Sequence, residues 1–238
     1  MLYHVGIGCS FGASQHNVHK LLAEHLGATF INLSESGTGN FRMYTELLYW
    51  ISTNKEKLQD TTFSIGWSGI YRNDLIQDVD SHKKAFEWTR WRADKEDEVL
   101  RHLPTDMNIS LDHYARFLTN VIATQNLFEN VNCKYVMYNA IDTHVGRSKF
   151  TNDQNIHLNV LEKQIKQASF YNIKKSQCEF IAENKYFLDG SPMTNTNKIT
   201  NWPSDDSQYS VQDAHPSEEG DRKWADLVWK FCLHNNLF

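Results

Sequence analysis

The chain has 238 residues, 40% of them hydrophobic and 22% charged, with a formal net charge of −5 at pH 7. This length is enough to bury one substantial core, and the mild acidity argues against a nucleic-acid groove or an anionic membrane surface as partner. Four scattered cysteines without metal-ligand spacing (Cys9, Cys133, Cys178, Cys232) predict free thiols in a reducing compartment.

The first element is the apolar run Leu2-Tyr3-His4-Val5-Gly6-Ile7, expected as a buried strand. It breaks at Gly8 into Cys9-Ser10-Phe11-Gly12. Val18, Leu21, Leu22 and Leu26 then recur at helical spacing, with Gly27 as C-cap. A strand, a tight turn and a helix lift one side chain onto the carboxyl edge of a sheet, where open α/β folds bind ligands. Ser10 holds that place. Its N–H would sit at a helix N-terminus, where outward donors and the dipole favour a developing oxyanion. Cys9 should face the other way and pack inside, because side chains alternate along extended chain.

Two further units follow. Ala28–Leu33 is a second strand, ending in the turn Ser34-Glu35-Ser36-Gly37-Thr38-Gly39-Asn40, and Met43, Leu47, Leu48 and Ile51 mark a helix after it. Thr61–Trp67 is a third strand, closed by Ser68. Successive strand–turn–helix units predict a parallel sheet whose turns collect along one edge. From about Tyr71 to Asn108 the chain is charge-mixed and aromatic, an insertion read either as a solvated excursion or as a lid over the pocket. Ser110–Phe128 forms an amphipathic helix with Ser110 as its N-cap, and Cys133–Ala140 is a fourth strand. Residues 141–203 are polar and poorly periodic, a second insertion in which Leu158, Leu161 and Ile165 suggest one helix. A closing helix runs from Ser217 to Phe231, with Pro216 as an early helical residue. The whole is expected as a single domain over 1–238.

Before that last helix stands Asp213-Ala214-His215-Pro216-Ser217. A carboxylate two residues ahead of a histidine can hold the imidazole Nδ1–H and leave Nε2 free to take a proton. The chain order Ser…Asp…His is also that of α/β-hydrolase triads.

In four separated blocks the chain resembles the SGNH hydrolases, also called GDSL esterases. The blocks are Gly8-Cys9-Ser10-Phe11, with Cys9 where the family often has Asp, and Gly37-Thr38-Gly39-Asn40. The third is Ile65-Gly66-Trp67-Ser68, lacking the usual Gly-x-Asn-Asp, and the last is Asp213-Ala214-His215-Pro216-Ser217-Glu218-Glu219-Gly220, with Asp-x-His in place of the more usual Asp-x-x-His. The resemblance implies a three-layer α/β/α fold of flavodoxin-like type with a central, mainly parallel sheet and two insertions. It also implies Ser10 as nucleophile, His215 as general base and acid, and Asp213 as the orienting carboxylate. The oxyanion would be held by the N–H groups of Ser10 and Gly37 and by a third donor, Ser68 or Asn40. Arg72 and Trp67, beside the third turn, are candidate substrate contacts; for Arg72 a surface ion pair is the structural alternative.

The expected activity is hydrolysis of a small-molecule or carbohydrate ester through an acyl-enzyme, without cofactor or metal, in a cytoplasmic protein with no membrane span or signal segment. Trp88, Trp91 and Trp202 are candidates to stack on sugar rings. A non-catalytic module holding a small anion or nucleotide, and an acyltransferase with the same triad, are the alternative readings of these residues; the sequence assigns no oligomeric state.

Overall fold

The computed structural model describes residues 1–70, 72–77, 87–92, 108–141, 150–184 and 215–238. Its centre is a five-stranded parallel sheet of order β2-β1-β3-β6-β7, where β1 is Tyr3–Gly8, β2 Thr29–Asn32, β3 Thr61–Trp67, β6 Lys134–Asn139 and β7 Phe170–Tyr171. The helices are α1 (Ser10–Ala13), α2 (Val18–Leu26), α3 (Asn40–Thr53), α4 (Asn108–Asn130), α5 (Asn152–Gln164), α6 (Gln177–Asn184) and α7 (Glu218–His234). Strands β4 (Arg72–Gln77) and β5 (Glu87–Arg92) pair as a separate antiparallel hairpin, with β4 against α3.

The strand period of two sorts each strand's side chains onto two faces. Val5 and Ile7 of β1, Phe63, Ile65 and Trp67 of β3, and Tyr135 and Met137 of β6 join one cluster with Met43 and Leu47 of α3, Phe117, Val121 and Phe128 of α4, and Leu158 of α5. Val136 and Tyr138 belong to a second cluster with Val18, Leu21 and Leu22 of α2, Ile181 of α6, and Trp224, Ala225, Val228 and Cys232 of α7. The sheet is therefore covered on both faces, as a parallel sheet requires.

Local signals set several helix ends. Gly27 caps α2 in the left-handed region at φ 60°, and Asn17 accepts from the Lys20 N–H at the other end. A Thr151–Gln154 capping box opens α5. Three expectations change. α4 begins at Asn108, so Ser110 lies inside the helix and not at its cap. Ser217 caps α7 through Gly220 N–H, which leaves Pro216 outside the helix. The 141–203 segment supplies a sheet strand: β7 pairs with β6, Met137 opposite Phe170 and Tyr138 opposite Tyr171. Two residues are too short to show any periodicity. All four cysteines are free, with Cys9, Cys178 and Cys232 buried. Among the described residues no helix is long and apolar enough to cross a membrane.

Candidate active site

The strand order reverses between β1 and β3, since the chain leaves β1 for β2 on one side and returns for β3 on the other. Ligands in open α/β sheets bind beyond the carboxyl ends at such a point. Ser10 follows β1 there and Ser68 follows β3. Ser10 is the first residue of α1 and is half-buried, while Cys9 before it is wholly buried. The short helix is held by Gly12 and Ala13 N–H groups donating to the Cys9 carbonyl at 2.9 and 3.0 Å. Asn32 Nδ2, at the end of β2, donates to the Gly12 carbonyl at 3.0 Å.

His215 arrives from the far end of the sequence. Its ring centroid lies 5.6 Å from that of Phe11, the residue after Ser10, at an interplanar angle of 44°. The packing of α2 against α7 brings the two ends together. Leu21 and Leu22 share a cluster with Trp224 and Val228, and His25 stacks on Trp229 at 5.1 Å while its Nε2 lies 3.5 Å from Asp226. His16, in the loop after α1, faces Glu218 at the start of α7 at 3.8 Å. Asp213 lies outside the described residues, as do the side chain of Arg72 and those of Trp88, Trp91 and Trp202.

The turn carrying Gly37 joins β2 to α3. Gly37 has φ 82°, a conformation that favours glycine. Around it, Glu35 N–H donates to the Gly8 carbonyl at 3.3 Å, and the Thr38 hydroxyl donates to the Glu35 carbonyl at 2.6 Å. Arg42 of α3 pairs with the Glu35 carboxylate. A cavity of about 290 Å³ lies beside this turn, lined by Ile7, Leu33, Thr38, Arg42 and Met43 among others.

Asn40 and Ser68, alternative third donors by sequence, are bonded to one another. Asn40 Oδ1 accepts from Ser68 N–H at 2.8 Å and Asn40 Nδ2 donates to the Ser68 carbonyl at 3.0 Å. This two-point clamp ties the Gly37 turn to the end of β3. Gly39 takes the N-cap position, so Asn40 is not the cap. The Ser68 hydroxyl is buried without a hydrogen-bond partner among the described residues. Trp67 is fully buried, edge-on to Phe117 at 6.0 Å, and is a core residue. As the last residue of β3 it alternates away from the side where Ser64 and Gly66 point, so the expectation that it contacts substrate is corrected.

One group of residues escaped the sequence reading: a layer of buried polar side chains beneath Ser10. His4 and His19 are both wholly buried, and burial drives each imidazole down to about 3; for His4 the neighbouring His19 adds to this. Asp221, in the first turn of α7, is held by Gln177 Nε2 at 2.6 Å, yet burial pushes its carboxyl up to about 8. The signal lay in β1 itself, where His4 alternates with Val5 and so falls on the opposite face.

The sequence matches no protein-family model and no curated protein. Among solved structures the chain is similar to the psychrotrophic esterase EstA from Pseudoalteromonas sp., with TM-score 0.47 and 11% identity over 98% of each chain. It is similar to the acetyl xylan esterase AlAXEase, with TM-score 0.43 and 13% identity over 96% of this chain and 98% of that one. TesA, with TM-score 0.45 and 10% identity, is covered over 99% of its length by 98% of this chain.

Proposed function

We propose that the protein is a carboxylic ester hydrolase of the SGNH type, acting through Ser10, His215 and Asp213. The observation that carries this reading is the contact between the His215 and Phe11 rings, which puts an imidazole from residue 215 beside the turn of residue 10. His215 Nε2 takes the Ser10 proton as Oγ attacks the ester carbonyl, and returns it to the leaving alcohol. Water activated by the same nitrogen then cleaves the acyl-enzyme. Asp213 holds Nδ1–H and sets the tautomer. The oxyanion is met by the Ser10 and Gly37 N–H groups, with the third donor drawn from the Asn40–Ser68 pair; the unused Ser68 hydroxyl hydrogen supports that role.

The test is a short-chain p-nitrophenyl ester assay beside labelling with a fluorophosphonate. Ser10→Ala is expected to lose label completely and to lower kcat by at least about 10³. Labelling that persists in Ser10→Ala overturns the assignment.

A further inference from the structure

The polar layer under Ser10 has a direction. His4 Nδ1 lies 2.8 Å from Thr62 Oγ1, and His4 Nε2 lies 2.8 Å from Ser64 Oγ. The same Ser64 oxygen is 2.7 Å from His19 Nδ1, and His19 Nε2 is 3.4 Å from the Tyr138 hydroxyl. At the far end the Thr62 hydroxyl donates to the Tyr3 carbonyl at 3.4 Å. A carbonyl only accepts, so that end fixes the polarity of the row. With Thr62 donating to Tyr3, its oxygen accepts from His4 Nδ1–H, and His4 Nε2 must accept from Ser64. Ser64 then accepts from His19 Nδ1–H, and His19 Nε2 accepts from Tyr138 O–H. Every donor finds an acceptor with both imidazoles neutral. The reversed order strands the Tyr138 proton in a buried site and is the costlier of the two.

The row ends against the nucleophile's helix. A Cβ on Gly8 would fall 3.0 Å from His19 Nε2 and one on Gly12 would fall 2.9 Å from it, while one on Gly6 would overlap the root of the His19 side chain. Three glycines thus leave room for this ring, and Gly8 and Gly12 flank Ser10 on either side by two residues.

We propose that His19 is a positioning residue: a neutral Nδ1–H imidazole, fixed by the row from Tyr138 to Tyr3, that braces the turn carrying Ser10 from below. The effect on catalysis rests on the esterase reading of Ser10; the tautomer and the brace do not.

Two measurements on the full chain test this. Histidine ¹⁵N NMR from pH 8 to pH 5, with His4 and His19 assigned through single substitutions, is expected to show protonated Nδ1 and unprotonated Nε2 in both rings throughout. An Nε2–H tautomer at either ring, or titration within that range, overturns the proposal. In kinetics, His19→Leu removes the donor to Ser64, whereas His19→Asn keeps a donor there but loses the ring atoms against Gly12. We expect kcat to fall by between about tenfold and 10²-fold in His19→Leu with KM within about twofold, and His19→Asn to recover part of the loss. Wild-type kcat in folded His19→Leu, or in His19→Asn if the leucine variant does not fold, overturns it. Should the wild-type protein neither hydrolyse esters nor label at Ser10, the esterase reading fails by itself. The backbone amide shifts of residues 9–13 in His19→Asn then decide the brace, and unchanged shifts overturn it.

Discussion

On the side of the sheet that faces α3, α4 and α5, the strands present Val5, Ile7, Phe63, Ile65, Trp67 and Met137, and aromatic rings fill the space between layers. On the side that faces α2 and α7, the same strands present His4, Gly6, Gly8, Thr62, Ser64, Gly66 and Tyr138. The first face needs only volume and apolarity, and its rings meet at centroid separations such as 4.8 Å for Phe63 and Phe128. The second must satisfy hydrogen bonds in a dry interior, where an unmet donor is expensive. Ser10, Phe11 and His215 are seated over the second face. A fold that needed stability alone would have made both sides alike, and the glycine cradle around His19 shows where packing volume was given up for a polar group.

The sharpest way to break this contrast is Phe63→Ala, which opens a cavity on the apolar face. It is expected to cost about 3–5 kcal/mol in denaturant unfolding while leaving kcat of the folded fraction unchanged. Ser64→Ala attacks the other face, leaving His4 Nε2 and His19 Nδ1 without their shared partner. The expected cost is about 1–3 kcal/mol, together with a fall in kcat that Phe63→Ala does not show. A loss of kcat in both variants, or in neither, erases the distinction between the faces.

Protons sharpen it further. Unfolded histidine binds a proton below about 6.5, whereas His4 and His19 resist until about 3, so stability falls as pH drops through that window. Asp221 works in the opposite sense. Unfolded aspartate has lost its proton above 3.8 while the folded carboxyl keeps it to about 8, so its contribution is lost as pH rises across that interval. Two histidines outweigh one aspartate below 6.5, and only the aspartate acts from there to 8. Unfolding followed against pH should give a maximum near 6.5, with each titrating group worth on the order of 1 kcal/mol per pH unit. Asp221→Asn is expected to flatten the alkaline descent and to steepen the acidic one, because the aspartate no longer offsets the histidines between 3.8 and 6.5; an unchanged alkaline descent would refute the account of Asp221.

The smallest effect belongs to the joint between His215 and α7. Ser217→Ala removes the acceptor for Gly220 N–H and is expected to cost about 1 kcal/mol in thermal or denaturant unfolding, with no change in the pH maximum.

The strands β1, β2, β3 and β6 and the helices α2, α3, α4 and α7 were legible because periodicity, Gly27 and the serine before α7 are written locally. The turns with Ser10, Gly37 and Ser68 were legible as small-residue breaks after apolar runs. Two-residue β7 was not, since it is a strand only by virtue of lying beside β6. The hairpin of β4 and β5 was likewise hidden within a charge-mixed stretch. Trp67 stood beside a turn as a candidate substrate contact, but its parity along β3 makes it core.

By itself the sequence determined the order of the periodic strands and helices, the parallel sheet and the small-residue turns at its edge, because each is a local pattern. Only the tertiary structure decided that the Asn40 side chain clamps Ser68, that His4 and His19 share Ser64, and that His215 lies against Phe11. Those pairings join residues 28 to 204 positions apart. They exist because parallel strands and the docking of α2 on α7 close those distances, and no local preference encodes which distant side chain fills a given space.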